Sequence, residues 1–144
     1  MGQADLSGKA LKALQKYFSL QRERASIRAT RLRVEKHLAT LRQEMERDPA
    51  LAVVLGADIK RLKQRQARLL CRELEAEEYC EYIEAALTAA GLGVEDRSML
   101  VHRYRDNWTW TQIAGQACLD ESTIRYRVRK ALDKLEPWLG RRKQ

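Results

Sequence analysis

The chain has 144 residues and carries 28 Lys and Arg against 20 Asp and Glu, a formal net charge of +8. This length allows one or two small domains and excludes a large multidomain enzyme. Only two prolines and seven glycines interrupt it, which favours helix over sheet, and neither a membrane span nor an apolar secretion signal is expected.

The first predicted element is a long helix between Lys9 and Asp48, where the dipeptide Asp48-Pro49 stops it. Apolar side chains recur in this segment at steps of three, four and seven residues: Leu11, Leu14, Phe18, Ala25, Leu32, Leu38, Leu41 and Met45. This spacing predicts one apolar stripe along the helix, with most arginines outside it.

A second uninterrupted segment runs from Ala57 to Ala90 and ends at Gly91. Its apolar stripe is broken by Gln66 and Glu73 and otherwise comprises Ile59, Leu62, Leu69, Ala76, Ile83 and Leu87. The seven-residue steps within this stripe resemble a coiled-coil seam.

Neither helix can bury its stripe alone, so the two are expected to pair. A hairpin closed by residues 48–56 would pair residues whose numbers sum to about 104. The arginines at 22, 24, 28, 31 and 33 would then face the glutamates at 73, 75, 77, 78 and 81. The sequence leaves open two other arrangements, in which these charges are only solvated or the stripes pair between two chains as a homodimer. The partner of the acidic stretch 73–84 is also left open.

The amino-acid composition changes after Gly91-Leu92-Gly93. All three tryptophans follow this point, and residues 97–144 carry 11 basic against 5 acidic side chains. We predict helices over 95–105, 109–117 and 121–135, separated by turns at 106–107 and 118–120. The expected fold is all-α, with a long helical hairpin or coiled coil over residues 1–90 for oligomerisation or partner binding, and a three-helix, DNA-binding helix-turn-helix domain over residues 91–144.

Residues 110–135 have the layout of a helix-turn-helix. Ile113 and Ala114 would pack the first helix against the second, Leu119 would fill the turn, and Asp120 would cap the second helix with its carboxylate. The second helix has one apolar face, made by Ile124, Val128, Ala131, Leu132 and Leu135. A helix that enters the major groove needs such a face to hold it against its scaffold.

The opposite face carries the candidate DNA-binding residues. Those expected to read bases are Glu121, Ser122, Thr123, Arg125, Tyr126 and Arg129. Those expected to bind phosphate are Thr109, Thr111 and Lys130. An arginine can form two parallel hydrogen bonds with a guanine edge, and hydroxyl groups can bond either bases or phosphate.

Nothing in the sequence predicts catalysis. The three cysteines form no CxxC pair, and His37 and His102 have no second ligand at metal-binding spacing. The glycines at 91 and 93 lack the third glycine of a phosphate-binding loop. We therefore expect no enzyme activity, no metal and no cofactor.

From about Glu95 to Leu135 the chain resembles region 4 of the sigma-70 family. The resemblance lies in residues 103–110 (RYRDNWTW), in Ile113-Ala114, in Ser122-Thr123-Ile124-Arg125 and in residues 129–135 (RKALDKL). LuxR-type regulators share a similar recognition-helix pattern. The layout of a long charged helical half followed by this domain is similar to phage late-transcription regulators of the ArpU and RinA type.

These resemblances imply a DNA-binding activator of phage late genes that acts beside the host RNA polymerase in the bacterial cytoplasm. From the residues alone we expect a sequence-specific regulator that binds double-stranded DNA. Two alternatives remain: a phage small terminase subunit, which recognises a packaging site, and a helical interaction protein without specific DNA readout. A lone helix-turn-helix generally needs a second half-site or a protein partner for useful specificity.

Overall fold

The computed structural model describes residues 2–140, with side chains from residue 8 onward. Over this range it contains helices and turns and no strand, so the predicted all-α fold is confirmed. Its α-helices are α1 (Gly2–Arg47), α2 (Ala52–Ala89), α3 (Val94–Leu100), α4 (Trp110–Ala117) and α5 (Glu121–Leu135). Short 3-10 helices cover Pro49–Leu51 and Glu136–Trp138, and a π-helical turn, Val101–Arg105, continues α3. Between residues 2 and 140, no helix has both the length and the apolar character needed to cross a bilayer.

The chain forms two compact units. The hairpin unit comprises Gln21–Glu78, and the other unit, here called the reader unit, comprises the chain up to Leu20 together with the chain from Tyr79. The division of function at residue 91 stays a prediction, and residues 141–144 of the predicted DNA-binding domain lie outside the described residues.

The hairpin unit is two antiparallel helical segments joined by a short turn. Asp48 is extended and its carboxylate accepts a hydrogen bond from the Ala50 backbone N–H (3.1 Å), while Pro49 begins the 3-10 helix. Buried or half-buried residues then alternate at three- and four-residue steps along both segments, as in a coiled coil. This seam comprises Arg24, Ile27, Arg31, Val34, Leu38, Leu41 and Met45 on α1, and Leu55, Ile59, Leu62, Gln66, Leu69, Glu73 and Ala76 on α2.

Part of the predicted α1 stripe is wrong. Ala25 is exposed and Leu32 is 50% exposed, whereas Ile27 and Val34 are buried. The predicted stripe continued from Phe18 in seven-residue steps, but Phe18 packs in the core of the reader unit. The seam against α2 occupies a different face of α1, because it follows its own repeat of three and four residues.

Gln66 and Glu73, the two polar residues that interrupt the α2 stripe, face α1. The Arg31 guanidinium donates from Nε to Glu73 Oε2 (2.6 Å) and from Nη1 to Glu35 Oε2 (2.9 Å), and Gln66 Nε2 donates to the same Glu35 oxygen (3.0 Å). These contacts lower the pKa of the Glu73 and Glu35 carboxyls and raise that of Arg31. Since 31 and 73 sum to 104, the predicted hairpin register is confirmed, with the stripes paired within one chain.

The core of the reader unit joins α3, α4 and α5 to the first turns of α1 and the last turns of α2. Its fully buried side chains include Leu14, Ile83, Leu100, Ile113, Ile124 and Leu135. At its edge the Tyr17 hydroxyl donates to Glu84 Oε2 (2.9 Å), and burial together with this carboxylate raises the pKa of Tyr17. Helices α4 and α5 thus pack in one apolar core with α3 and with the adjoining turns of α1 and α2.

Candidate nucleic-acid interface

Helices α4 and α5 and the turn between them form a helix-turn-helix. Thr109 caps α4 reciprocally: its hydroxyl accepts from the Gln112 backbone N–H (3.1 Å), and its own N–H donates to Gln112 Oε1 (2.8 Å). At the other end of α4, Cys118 adopts a left-handed conformation (φ 57°) and the Leu119 N–H bonds the Ala114 carbonyl (3.1 Å). Backbone capping thus ends α4 and turns the chain into α5 within three residues.

Of two predictions about this turn, the one for Asp120 is partly correct and the one for Leu119 is wrong. Asp120 does occupy the N-cap position of α5 in an extended conformation, but its side chain makes no capping hydrogen bond. Leu119 is 40% exposed and lies beside a surface groove, so the prediction that it fills the turn is wrong. The apolar contacts that hold the turn come instead from the buried Ile113 and Ala114.

The inner face of α5 is fixed by burial and by two ionic contacts of one arginine. Its five apolar residues (Ile124, Val128, Ala131, Leu132 and Leu135) are all buried. Arg127 turns away from the exposed face and donates from Nη2 to Asp96 Oδ1 (3.0 Å) and Glu95 Oε2 (3.3 Å) on α3. Desolvation opposes the Arg127 charge, but these two hydrogen bonds outweigh it and raise its pKa. The rotation of α5 about its own axis is therefore fixed.

The outer face of α5 presents most of the predicted base-reading residues together. Ser122, Arg125, Tyr126 and Arg129 are exposed and recur at the spacing of one helix face, with Tyr126 61% exposed. The other two predicted base-reading residues lie at its margins: Thr123 is half-buried, and Glu121 is exposed in the first turn. Lys130, which is predicted to bind phosphate, has its ammonium 5.6 Å from the centre of the Tyr126 ring. The contact of each of these side chains with a base stays a prediction.

Two of the predicted phosphate-binding residues already make contacts at the start of α4. The backbone N–H of Thr109 is taken by Gln112, as described above. The Thr111 hydroxyl donates to Glu121 Oε2 (3.2 Å), and the other Glu121 oxygen lies 3.6 Å from Arg125 Nη2. Glu121 therefore links the start of α4 to Arg125 on the outer face of α5.

Trp110 and Arg103 were not predicted as parts of this surface. The guanidinium carbons of Arg103 and Arg125 lie 4.2 Å and 5.5 Å from the centre of the Trp110 ring, within cation–π range. Arg103 also donates from Nη1 to the Trp108 carbonyl (2.9 Å). Trp110 thus restrains two cations, one of which, Arg125, lies on the outer face of α5. No periodic signal marks this contact, because an irregular turn separates residue 103 from residue 110.

The turn before α4 is held by stacked rings and an ionic contact. The rings of His102 and Trp108 stack with centres 4.0 Å apart, and the Trp108 N–H bonds the His102 carbonyl (2.8 Å). Asp106 accepts from Arg105 Nε (2.9 Å) and lies 3.2 Å from His102 Nδ1, and the hydrogen bonds from Arg105 and then His102 lower the pKa of its carboxyl. Asn107 takes a positive φ of 58°, which Asn tolerates better than most residues.

Among the described side chains, no group of three or more His, Cys, Asp or Glu is placed to hold a metal ion. Comparisons with family models, with curated proteins and with solved structures give no match for this chain.

Proposed function

We propose that this protein is a sequence-specific transcriptional regulator that binds double-stranded DNA through α5. The observation that supports this most directly is the division of α5 into a fully buried apolar face and an exposed face with Ser122, Arg125, Tyr126 and Arg129. From residue 122 to residue 129 the helix rises about 10 Å, close to three base-pair steps of B-form DNA. The major groove, about 12 Å wide, admits one helix of this kind.

The two exposed arginines would carry most of the base readout. Arg129 lies one turn beyond Arg125 on the same face, and either guanidinium can bond a guanine O6 and N7 together. Trp110 holds the Arg125 guanidinium near one position, which lowers the entropy lost when that side chain binds. Phosphate contacts from Thr111 and Lys130 would fix the register of the helix on the duplex.

The sequence resemblance extends this proposal to activation of phage late genes beside the host RNA polymerase, in the cytoplasm of the bacterial host. A second copy of the chain or the polymerase would supply the additional contact that a single helix-turn-helix needs for useful specificity.

An unbiased selection of bound duplexes from a random pool tests the proposal. The full-length protein should enrich a defined sequence, and Arg125→Ala or Arg129→Ala should relax preference at one or two of its positions at a cost of about 1–3 kcal/mol. Lys60→Ala, on the exposed surface of α2, is the charge-matched control and should leave the enriched sequence unchanged. Enrichment of no sequence, or of one unaffected by either arginine, would contradict readout by α5.

The mass of the bound species, measured in the same experiment, separates regulation from packaging. A monomer or dimer on a promoter-like site supports a regulator. A ring-sized assembly on the selected duplex would instead favour the small terminase alternative.

A further inference from the structure

One side of the hairpin unit carries an arginine-lined groove that α5 does not share. Arg65, Arg68 and Arg72 line it from α2, and Ser26 and Thr30 line it from α1. The groove has a volume of about 510 Å³, and the buried side chains of Ile27 and Leu69 lie beneath it.

The seam places these three arginines on one side of the hairpin. Each lies one residue before a seam position of α2 (Gln66, Leu69 or Glu73). Because successive residues of a helix are rotated by about 100°, all three side chains lie to the same side of the seam. All three side chains are exposed, and the described residues provide none of them with an ion-pair partner. We call Arg65, Arg68 and Arg72 the arginine ridge.

The wall opposite the arginine ridge adds hydrogen-bond donors. The Thr30 hydroxyl oxygen accepts from Arg33 Nη2 (3.1 Å), so its own proton remains available to an acceptor in the groove and a fourth guanidinium stands at the rim. One carboxylate, that of Glu23, also lines the groove and opposes the binding of an anion.

This combination fits a chain of phosphates better than a single small anion. The arginine ridge extends from residue 65 to residue 72, a rise of about 10 Å along the helix. One strand of B-form DNA presents a phosphate about every 3.4 Å along its axis. Guanidinium groups bind phosphate oxygens with two parallel hydrogen bonds, and hydroxyl groups commonly add further phosphate contacts. A lone phosphate would engage only one of the three arginines fully.

We propose that the arginine ridge binds the sugar-phosphate backbone of duplex DNA, as a second contact that does not depend on sequence. This inference rests on the proposed function, since it assumes that duplex DNA is the ligand of the protein. It adds a defined role for the hairpin unit, which increases affinity for any duplex while α5 discriminates between sequences.

A matched pair of full-length variants tests the inference. The ridge variant replaces Arg65, Arg68 and Arg72 by Gln, and the control variant replaces Arg42, Lys60 and Lys63 by Gln. The control residues are exposed, and each lies one residue after a seam position, so they occupy the opposite side of the hairpin. Their replacement removes the same positive charge as the ridge variant. Circular dichroism melting should show that both variants fold like the parent.

Binding of each protein to the selected duplex and to a random duplex is then measured between about 50 and 200 mM salt. The ridge variant should lose roughly 10–100-fold in affinity near 0.1 M salt on both duplexes, and the slope of log K against log salt should become shallower by about 2–3. The control variant should change neither quantity comparably. Glu23→Gln should strengthen binding several-fold, which no folding defect would produce.

The outcomes separate this inference from the proposed function. Equal losses in the ridge and control variants, while the parent protein still prefers the selected duplex, would overturn the arginine ridge alone. A ridge-specific loss in a protein without sequence preference would support the ridge and overturn readout by α5. A ridge-specific loss on RNA but not on duplex DNA would overturn the assignment of the ligand.

Discussion

Replacing Ile124 by Ala tests whether the inner face of α5 holds the reader unit together. The Ile124 side chain is fully buried, and the substitution removes three carbon groups, each worth about 0.8 kcal/mol on transfer from water. The transfer loss of roughly 2.4 kcal/mol is increased by the cavity that remains, so we expect the free energy of unfolding to fall by about 3–4 kcal/mol.

All three tryptophans of the chain follow Tyr79 and therefore belong to the reader unit, so their fluorescence reports urea unfolding of this unit. Tyr126→Ala is the matched control on the outer face of the same helix. Because Tyr126 is 61% exposed, its loss should change the unfolding free energy by less than about 0.5 kcal/mol while weakening DNA binding. An unchanged urea midpoint for Ile124→Ala, or an equal fall for Tyr126→Ala, would refute the division of α5 into these two faces.

Three further predictions concern stability. Arg31→Ala should lower the melting temperature of the hairpin, measured by circular dichroism. Arg33→Ala should leave it unchanged, because Arg33 bonds within its own helix. Equal melting temperatures for the two variants would contradict a role for Arg31 in the seam. Hydrogen bonds from Arg105 and His102 lower the pKa of Asp106. The ionised Asp106 carboxylate therefore stabilises the folded state above about pH 3.9, the pKa of an Asp in the unfolded chain, and this stabilisation is lost as the pH falls below that value. Asp106→Asn should therefore reduce the acid-induced loss of stability seen by tryptophan fluorescence below about pH 4, and an identical acid profile would speak against this contact. Gly91 has a φ of +74°, so Gly91→Ala should cost about 1 kcal/mol in urea unfolding, and a neutral result would show that the strain is relieved elsewhere.

Helix identity and hairpin register could be predicted because the signals for both are local. Asp48-Pro49 and Gly91 end α1 and α2 where the sequence indicates, and the α2 stripe is correct because its apolar residues follow a single repeat. The α1 stripe is wrong at two positions because α1 contacts different partners along its length. Leu14 and Phe18 pack in the core of the reader unit, whereas the later seam against α2 follows another face of α1, so one continuous pattern does not describe both.

At the candidate interface, periodicity predicts which side of α5 is buried but not what its exposed side chains contact. The pairing of Thr111 with Glu121 and the approach of Arg103 to Trp110 both cross turns, where no repeat relates one residue to the next. The exposure of Leu119 has a similar origin. Backbone capping already closes the turn, and Leu119 stays 40% exposed at the edge of a surface groove that Ile113 also lines.

The polar residues in the hairpin seam contribute specificity of pairing, and this connects them to the arginine ridge. Apolar side chains alone would tolerate a slip of one heptad, because the seam repeats every seven residues on both helices. The polar seam residues also lie seven residues apart, but on α2 a neutral amide (Gln66) alternates with a carboxylate (Glu73), so a slip changes which charges meet. A partially buried carboxylate or guanidinium without its partner is unfavourable. They therefore select one register among several with similar apolar burial.

A shift of α2 by seven residues in one direction shows the consequence. Arg31 would lose its contact with Glu73, and the two carboxylates of Glu35 and Glu73 would face each other across the seam in place of the present amide–carboxylate pair. The same shift would bring Glu75 into the position that Arg68 now occupies in the groove. The register that pairs the half-buried polar groups is thus also the one that places Ser26 and Thr30 opposite the arginine ridge. A variant that breaks the seam should therefore lose part of its salt-dependent DNA affinity along with its thermal stability.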